Sequence, residues 1–185
     1  RKKGAVVLLA LLCSQGTTVL PANAQPTLRI GAIPDQNPER LNRRYGQLAA
    51  ELSDTLKVPV RYVPVSNYPA AVSAFRTGSL DLVWFGGLTG IQARLQTPGA
   101  KVLAQRAIDA KFNSVFIANT SSGLQPISSI DGLKSLKGKR FTFGSESSTS
   151  GRLMPQYFMA QAGVTPKQIA GGQAGFSGSH DATIA

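Results

Sequence analysis

Ser148, Thr149 and Ser150 set three hydroxyls in a row, directly ahead of Gly151 and of Met154, Tyr157, Phe158 and Ala162, which recur at helical spacing. Phe141-Thr142-Phe143 before them reads as a short strand, and Gly144-Ser145-Glu146-Ser147 as the connection. A strand that runs through hydroxyls into a helix can bind an anion. The first-turn N–H groups have no intrahelical acceptor, the helix dipole adds about half a positive charge, and Ser or Thr hydroxyls rotate to donate as well. An N-cap requires one such residue. The plainer account of the same spacing is one capping serine beside solvated loop residues.

Three other positions have the chemistry to join such a site. Tyr68 carries a phenol just after Asn67, which can cap a helix, with Pro69 early enough to be tolerated. His180 and Asp181 open a helical pattern after the glycine-rich stretch from Gly171 to Ser179. For Tyr68 the alternative is a surface aromatic packed on Pro69, and for His180 a helix cap. Catalysis lacks its parts: no G-x-S-x-G occurs, and His180 adjacent to Asp181 in sequence is not a triad geometry. The phosphate-cradling loops G-x-x-x-x-G-K-[ST] and G-x-G-x-x-G are missing too. One histidine and one cysteine, Cys13, argue against a zinc site, and no cofactor is implied.

The elements that must position these residues alternate. Leu28 to Ile33 is a strand, turned by Pro34 to Pro38 into a helix whose Leu41, Tyr45, Leu48 and Leu52 share one face. Pro59 to Val65 is a second strand, followed by a helix from Asn67 with Ala71, Val72 and Phe75 inward, stopped at Gly78. Leu80 to Phe85 is a third, with Trp84 in the core, and a helix through Ile91 and Leu95 ends at Pro98-Gly99. Lys101 to Ile108 and Ser114 to Asn119 read as further strands. This alternation predicts an α/β fold on a mostly parallel sheet. After Asn119 the composition shifts to Thr120-Ser121-Ser122-Gly123 and a second run of elements begins, so two lobes are expected, 25–119 and 120–185.

Residues 1–24 read as an export signal: Arg1, Lys2 and Lys3, an apolar run from Ala5 to Leu12, then Ala22-Asn23-Ala24. That run is too short to span a bilayer. Of the 20 basic residues three lie in this leader, leaving 17 against 9 acidic residues and a net charge of +8. The balance suits an anionic partner, but the basic residues are scattered and no aromatic ladder lies between them, so nucleic acid is not expected. With 161 residues after the leader, the chain has room for one lobe and part of another and reads as a fragment, its second lobe truncated.

The order of motifs resembles the periplasmic substrate-binding proteins of ABC importers for phosphonate- and phosphite-like oxyanions. Leu28-Arg29-Ile30-Gly31, Asn67-Tyr68-Pro69-Ala70, Asp81 to Gly86 and Ser148-Thr149-Ser150-Gly151 carry the resemblance across the chain after its leader. Ile33-Pro34-Asp35-Gln36-Asn37-Pro38-Glu39-Arg40 is similar to the branch labelled selenate-binding. The resemblance implies a bilobal type II binding protein that closes on its ligand like a hinge. It also implies a periplasmic monomer that delivers a small tetrahedral oxyanion, of the phosphonate, phosphite, phosphate or selenate type, to a membrane permease. By position, Tyr68, Ser148, Thr149, Ser150 and His180 would hold the anion. Asp181 stands where these proteins have a glutamate, Phe112 where they have a ligand-touching tyrosine, and Phe85 replaces a tyrosine after Trp84. A sensory domain of the same fold, joined to a signalling protein, is the alternative function.

Overall fold

The computed structural model describes residues 25–185, and the leader read from residues 1–24 lies outside them. The chain builds two small parallel sheets, each flanked by helices. In the first, β1 (Leu28–Ala32) lies between β2 (Val60–Tyr62) and β3 (Leu82–Trp84), with Ile30 opposite both Tyr62 and Leu82. Helices α1 (Pro38–Leu56) and α2 (Tyr68–Arg76) make the crossovers, and α3 (Gly87–Gln96) follows β3. Helix starts fall where side-chain oxygens replace lost backbone partners. The Asn37 Oδ1 accepts from the Arg40 N–H at 2.9 Å, and the Asn67 Oδ1 from the Ala70 N–H at 2.8 Å.

Each face of this sheet has its own core. Leu41 and Tyr45 of α1 pack on Ala32, with Tyr62 and Trp84 beside them, while Ile33, Tyr68 and Ala71 form the opposite cluster. Trp84, read as core, is half-buried, and the Arg106 guanidinium lies 5.1 Å from its ring centroid. The edge of β1 is tied to β3 by Arg29, which meets the Asp81 carboxylate at 2.9 Å.

The second sheet pairs β4 (Thr142–Phe143) with β5 (Gly175–Phe176). A π-helical turn from Thr149 to Leu153 runs into α4 (Met154–Gln161), and α5 (His180–Ile184) follows β5. Leu133, Leu136, Phe143, Met159, Val164 and Ile169 close a third core beneath this sheet.

Two expectations change here. Lys101–Ile108 and Ser114–Asn119 are not strands; the chain there is irregular, with a 3-10 turn over Ala107–Lys111. A strand exists through its ladder, and neither segment has a neighbouring strand among the described residues, so Val102, Leu103, Val115 and Ile117 stay exposed. The glycine-rich stretch from Gly171, given no strand in the sequence, contains β5, whose Gly175 leaves room for the Thr142 side chain across the ladder.

Candidate functional site

Five loops converge because each leaves the carboxyl end of a parallel strand, the edge where open α/β sheets hold their ligands. Asp35 follows β1, Tyr68 follows β2, Gly87 and Leu88 follow β3, Ser148 to Ser150 follow β4, and His180 follows β5. The two sheets face each other across this seam. Direct hydrogen bonds cross it: the Leu88 N–H donates to the Thr149 Oγ1 at 2.8 Å, the His180 N–H to the Asp35 carbonyl at 3.2 Å, and the Asn37 N–H to the Asp181 Oδ2 at 2.8 Å.

The three hydroxyls are neither plain caps nor free loop groups. Ser148, 3 % exposed, is an N-cap whose Oγ accepts from the Gly151 N–H at 2.9 Å. The Leu153 N–H reaches back to the Ser148 carbonyl at 3.0 Å, the i to i−5 bond that makes this turn π-helical. Thr149 is held by α3, as just described. The Ser150 Oγ lies 3.4 Å from the His180 Nε2, and its carbonyl accepts from the Ser114 hydroxyl at 2.9 Å. An oxygen that accepts an N–H keeps its own proton to give away. Ser148 and Thr149 therefore each remain able to donate one hydrogen bond, and Ser150 does so when the imidazole donates to it.

Two glycines make the approach possible. A Cβ on Gly87 would stand 3.1 Å from the Thr149 Oγ1, and one on Gly151 would stand 3.3 Å from the Gly144 Cα. Side chains at either place would push the α3 start away from Thr149, or β4 away from its helix.

Tyr68 enters from the cluster it forms with Ile33 and Ala71. Its ring is 1 % exposed, packed with Ile33 and Ala71, and its phenol lies beside the Ser148 hydroxyl. Burial, with the Asp35 charge adding to it, pushes the phenol up to about 12, and Ser148 offsets part of that rise. The group is thus a neutral donor at any physiological pH. It is not a surface aromatic.

The remaining positions divide. One oxygen of the Asp181 carboxylate, Oδ2, accepts from the Asn37 N–H and fastens the β1–α1 loop to α5. Phe112 is 53 % exposed and lines a cavity of about 360 Å³ with Phe116, Ser150, His180 and Thr183, separate from Tyr68 and Ser148. Phe85 lies edge-on to Phe75, 5.7 Å away, in the first core. Sequence reasoning missed Asp35, Leu88 and Ser114. The first follows a strand and carries a charge, a usable signal; the other two act through a backbone N–H and a single hydroxyl, which no residue pattern announces. Among the described residues no group of three His, Asp or Glu could hold a metal, and no helix is long and apolar enough to cross a membrane.

The model of one protein family, described as the periplasmic substrate-binding protein of a phosphonate ABC transporter, matches residues 30–185. The chain belongs to this family. It is 63% identical over 158 residues to the probable ABC transporter phosphite binding protein PhnD1 of Prochlorococcus marinus, covering 85% of this chain and 53% of the relative. It is 28% identical over 166 residues to the phosphate-import protein PhnD of Mycolicibacterium smegmatis, covering 86% and 50%. The chain thus spans about half the length of the curated relatives it matches. Among solved structures, that of Prochlorococcus PhnD1 in complex with methylphosphonate superposes with a TM-score of 0.85 at 62% identity, over 86% of this chain and 58% of the other. A binding protein component of a Pseudomonas aeruginosa phosphonate transporter shares the fold, with a TM-score of 0.64 at 22% identity over 84% and 51%. The fold is that of the type II periplasmic binding proteins, as the resemblance implied, and the family's members are substrate-binding transport proteins of the periplasm.

Proposed function

We propose that the chain is about half of an extracytoplasmic binding protein that captures a small phosphorus oxyanion and presents it to an ABC importer. Residues 25–119 would form one lobe and 120–185 part of the second, with the leader in residues 1–24 directing export. The single observation that carries the reading is the seam: a helix start with three buried or half-buried hydroxyls, met by the neutral phenol of Tyr68 and by His180. Such a set offers hydroxyl, phenol and imidazole donors. It suits reversible capture, in which the anion's charge is spread over hydrogen bonds and two helix starts, α3 and the turn at Thr149. Nothing in it supplies an activated nucleophile, so the reading is binding without catalysis.

In this reading Ser148, Thr149, Ser150, Tyr68 and His180 contact the anion. Asp181 fastens the lobes through Asn37, and Phe112 borders the cavity that Ser150 and His180 also line. The signalling alternative has no supporting observation. Calorimetric titration of the full-length protein with methylphosphonate, phosphite and phosphate tests the reading. A Ser148→Ala/Thr149→Ala double variant loses two hydrogen bonds to charge, about 1.5–3 kcal/mol each, and binding should fall by at least a hundredfold. Unchanged affinity in a folded double variant would contradict it.

A further inference from the structure

The loop after β1 holds two buried acceptors, the Asp35 Oδ1 and the Gln36 Oε1, that have no hydrogen-bond partner among the described residues. The loop itself is well fixed. The Asp35 N–H donates to the Ile33 carbonyl at 2.9 Å, the Asp35 carbonyl takes the His180 N–H, and the Asn37 N–H is held by Asp181. The orphaned carboxylate is therefore built into the seam. Asp35 is faced by Arg44 and Tyr45 from α1, Tyr62 from β2, Tyr68 from α2, Arg106 from the segment after α3, and His180 from α5. Tyr68 and His180 are also the groups beside Ser148 and Ser150, so the carboxylate belongs to the same seam as the hydroxyls.

A carboxylate beside an anion site is unfavourable unless a proton lies between them. The hydroxyls, the phenol and the imidazole supply donors to an anion; Asp35 can only accept. What it lacks is a donor, and a phosphorus oxyanion that keeps one acidic hydrogen brings that donor with it. Selenate and sulfate have the same tetrahedral shape and carry no proton near neutral pH.

Resting on the oxyanion reading above, we propose that Asp35 is a specificity residue: its Oδ1 accepts the acidic proton of the bound anion, so the site takes protonated phosphorus oxyanions and rejects selenate and sulfate. The complex holds one proton between the anion oxygen and the carboxylate. Selenate reaches the same composition only after Asp35 itself is protonated, and burial and desolvation already raise the pKa of that group while Arg44, Arg106 and His180 hold it down. This departs from the expectation that selenate stands among the ligands. A site that rejects an isosteric anion through an unpaired buried group discriminates by large factors, because the mismatch cannot be relieved by water.

The test is calorimetric titration of the full-length protein at pH 6 with methylphosphonate, phosphite, selenate and sulfate, repeated on Asp35→Asn. The expected native result is methylphosphonate or phosphite binding at least about a hundredfold tighter than selenate and sulfate. In Asp35→Asn, selenate should gain and the ratio should shrink at least about tenfold, since the amide offers the anion a donor in place of a charge. The native ratio needs no variant, so an Asp35→Asn protein that fails to fold leaves the test in force. Equal native affinities for selenate and methylphosphonate, or an unchanged ratio in folded Asp35→Asn, overturn the role of Asp35 and leave the oxyanion reading standing. Binding of none of the four anions overturns both.

Discussion

Thr149→Val removes one oxygen and keeps the side-chain shape, so its effects can be worked from two contacts. The Thr149 Oγ1 accepts the Leu88 N–H at 2.8 Å in a part-buried place where water replaces it poorly. Leaving that donor unmatched costs about 1–3 kcal/mol, so the unliganded protein should be destabilised by about 1 kcal/mol or more, a drop of about 2–4 °C in a chain of this size. The same hydroxyl has its own proton free for the anion. Losing a hydrogen bond to a charged group costs a further ~1.5–3 kcal/mol, or about 10- to 150-fold in Kd. Differential scanning calorimetry reads the first effect and isothermal titration with methylphosphonate the second. A Thr149→Val protein with lowered Tm and native affinity would show that Thr149 only splices the two sheets together, and would refute the assignment of its proton to the anion.

Gly87→Ala tests the close approach from the other side: its Cβ would stand 3.1 Å from the Thr149 Oγ1, so affinity should fall while the far-ultraviolet circular dichroism stays native. Tyr45 and Tyr68 are both pushed up to about 12 by burial, with Asp35 adding to it. A folded-state pKa above the unfolded value of about 10 means the neutral phenols stabilise the fold below pH 10, and that contribution drains away between about pH 10 and 12. Stability measured by urea unfolding should fall over that range, and less steeply in Tyr45→Phe; a flat profile would contradict the burial. Asp81 is held below the ordinary carboxylate range, chiefly by its hydrogen bond from Arg29. The stabilisation is present above about pH 4 and lost as the pH drops below it, so Asp81→Asn should be less stable than native at pH 7 and converge with it in acid. Persistence of the gap at pH 2 would show that the charge is not its source.

Much of this was legible in the sequence because local chemistry decided it. Asn37 and Asn67 are caps by type and position, and they cap; the 4-3-4 spacing of Leu41, Tyr45, Leu48 and Leu52 fixed the face of α1. The hydroxyl run marked a helix start, and the structure gives each hydroxyl a polar partner. What failed was whatever depends on a distant neighbour. Val102 and Val115 have strand-like surroundings but no ladder to join among the described residues. Gly175 gave no strand signal because two residues of β5 show no period, and only Thr142 across the ladder makes them a strand. The tie between the Asp181 carboxylate and the Asn37 N–H joins residues 144 positions apart, which no local pattern announces. Asp35 became visible only when folding buried it without a partner.

The central claim is that an oxyanion sits in the seam on the hydroxyls of Ser148, Thr149 and Ser150. A crystal structure of the full-length protein with methylphosphonate measures this directly. The account predicts phosphonate oxygens about 2.5–3.0 Å from those three hydroxyls and from the Tyr68 phenol, with one oxygen at the same range from the Asp35 Oδ1. A phosphonate bound out of reach of those three hydroxyls, or a seam left to water at saturating ligand, would contradict it.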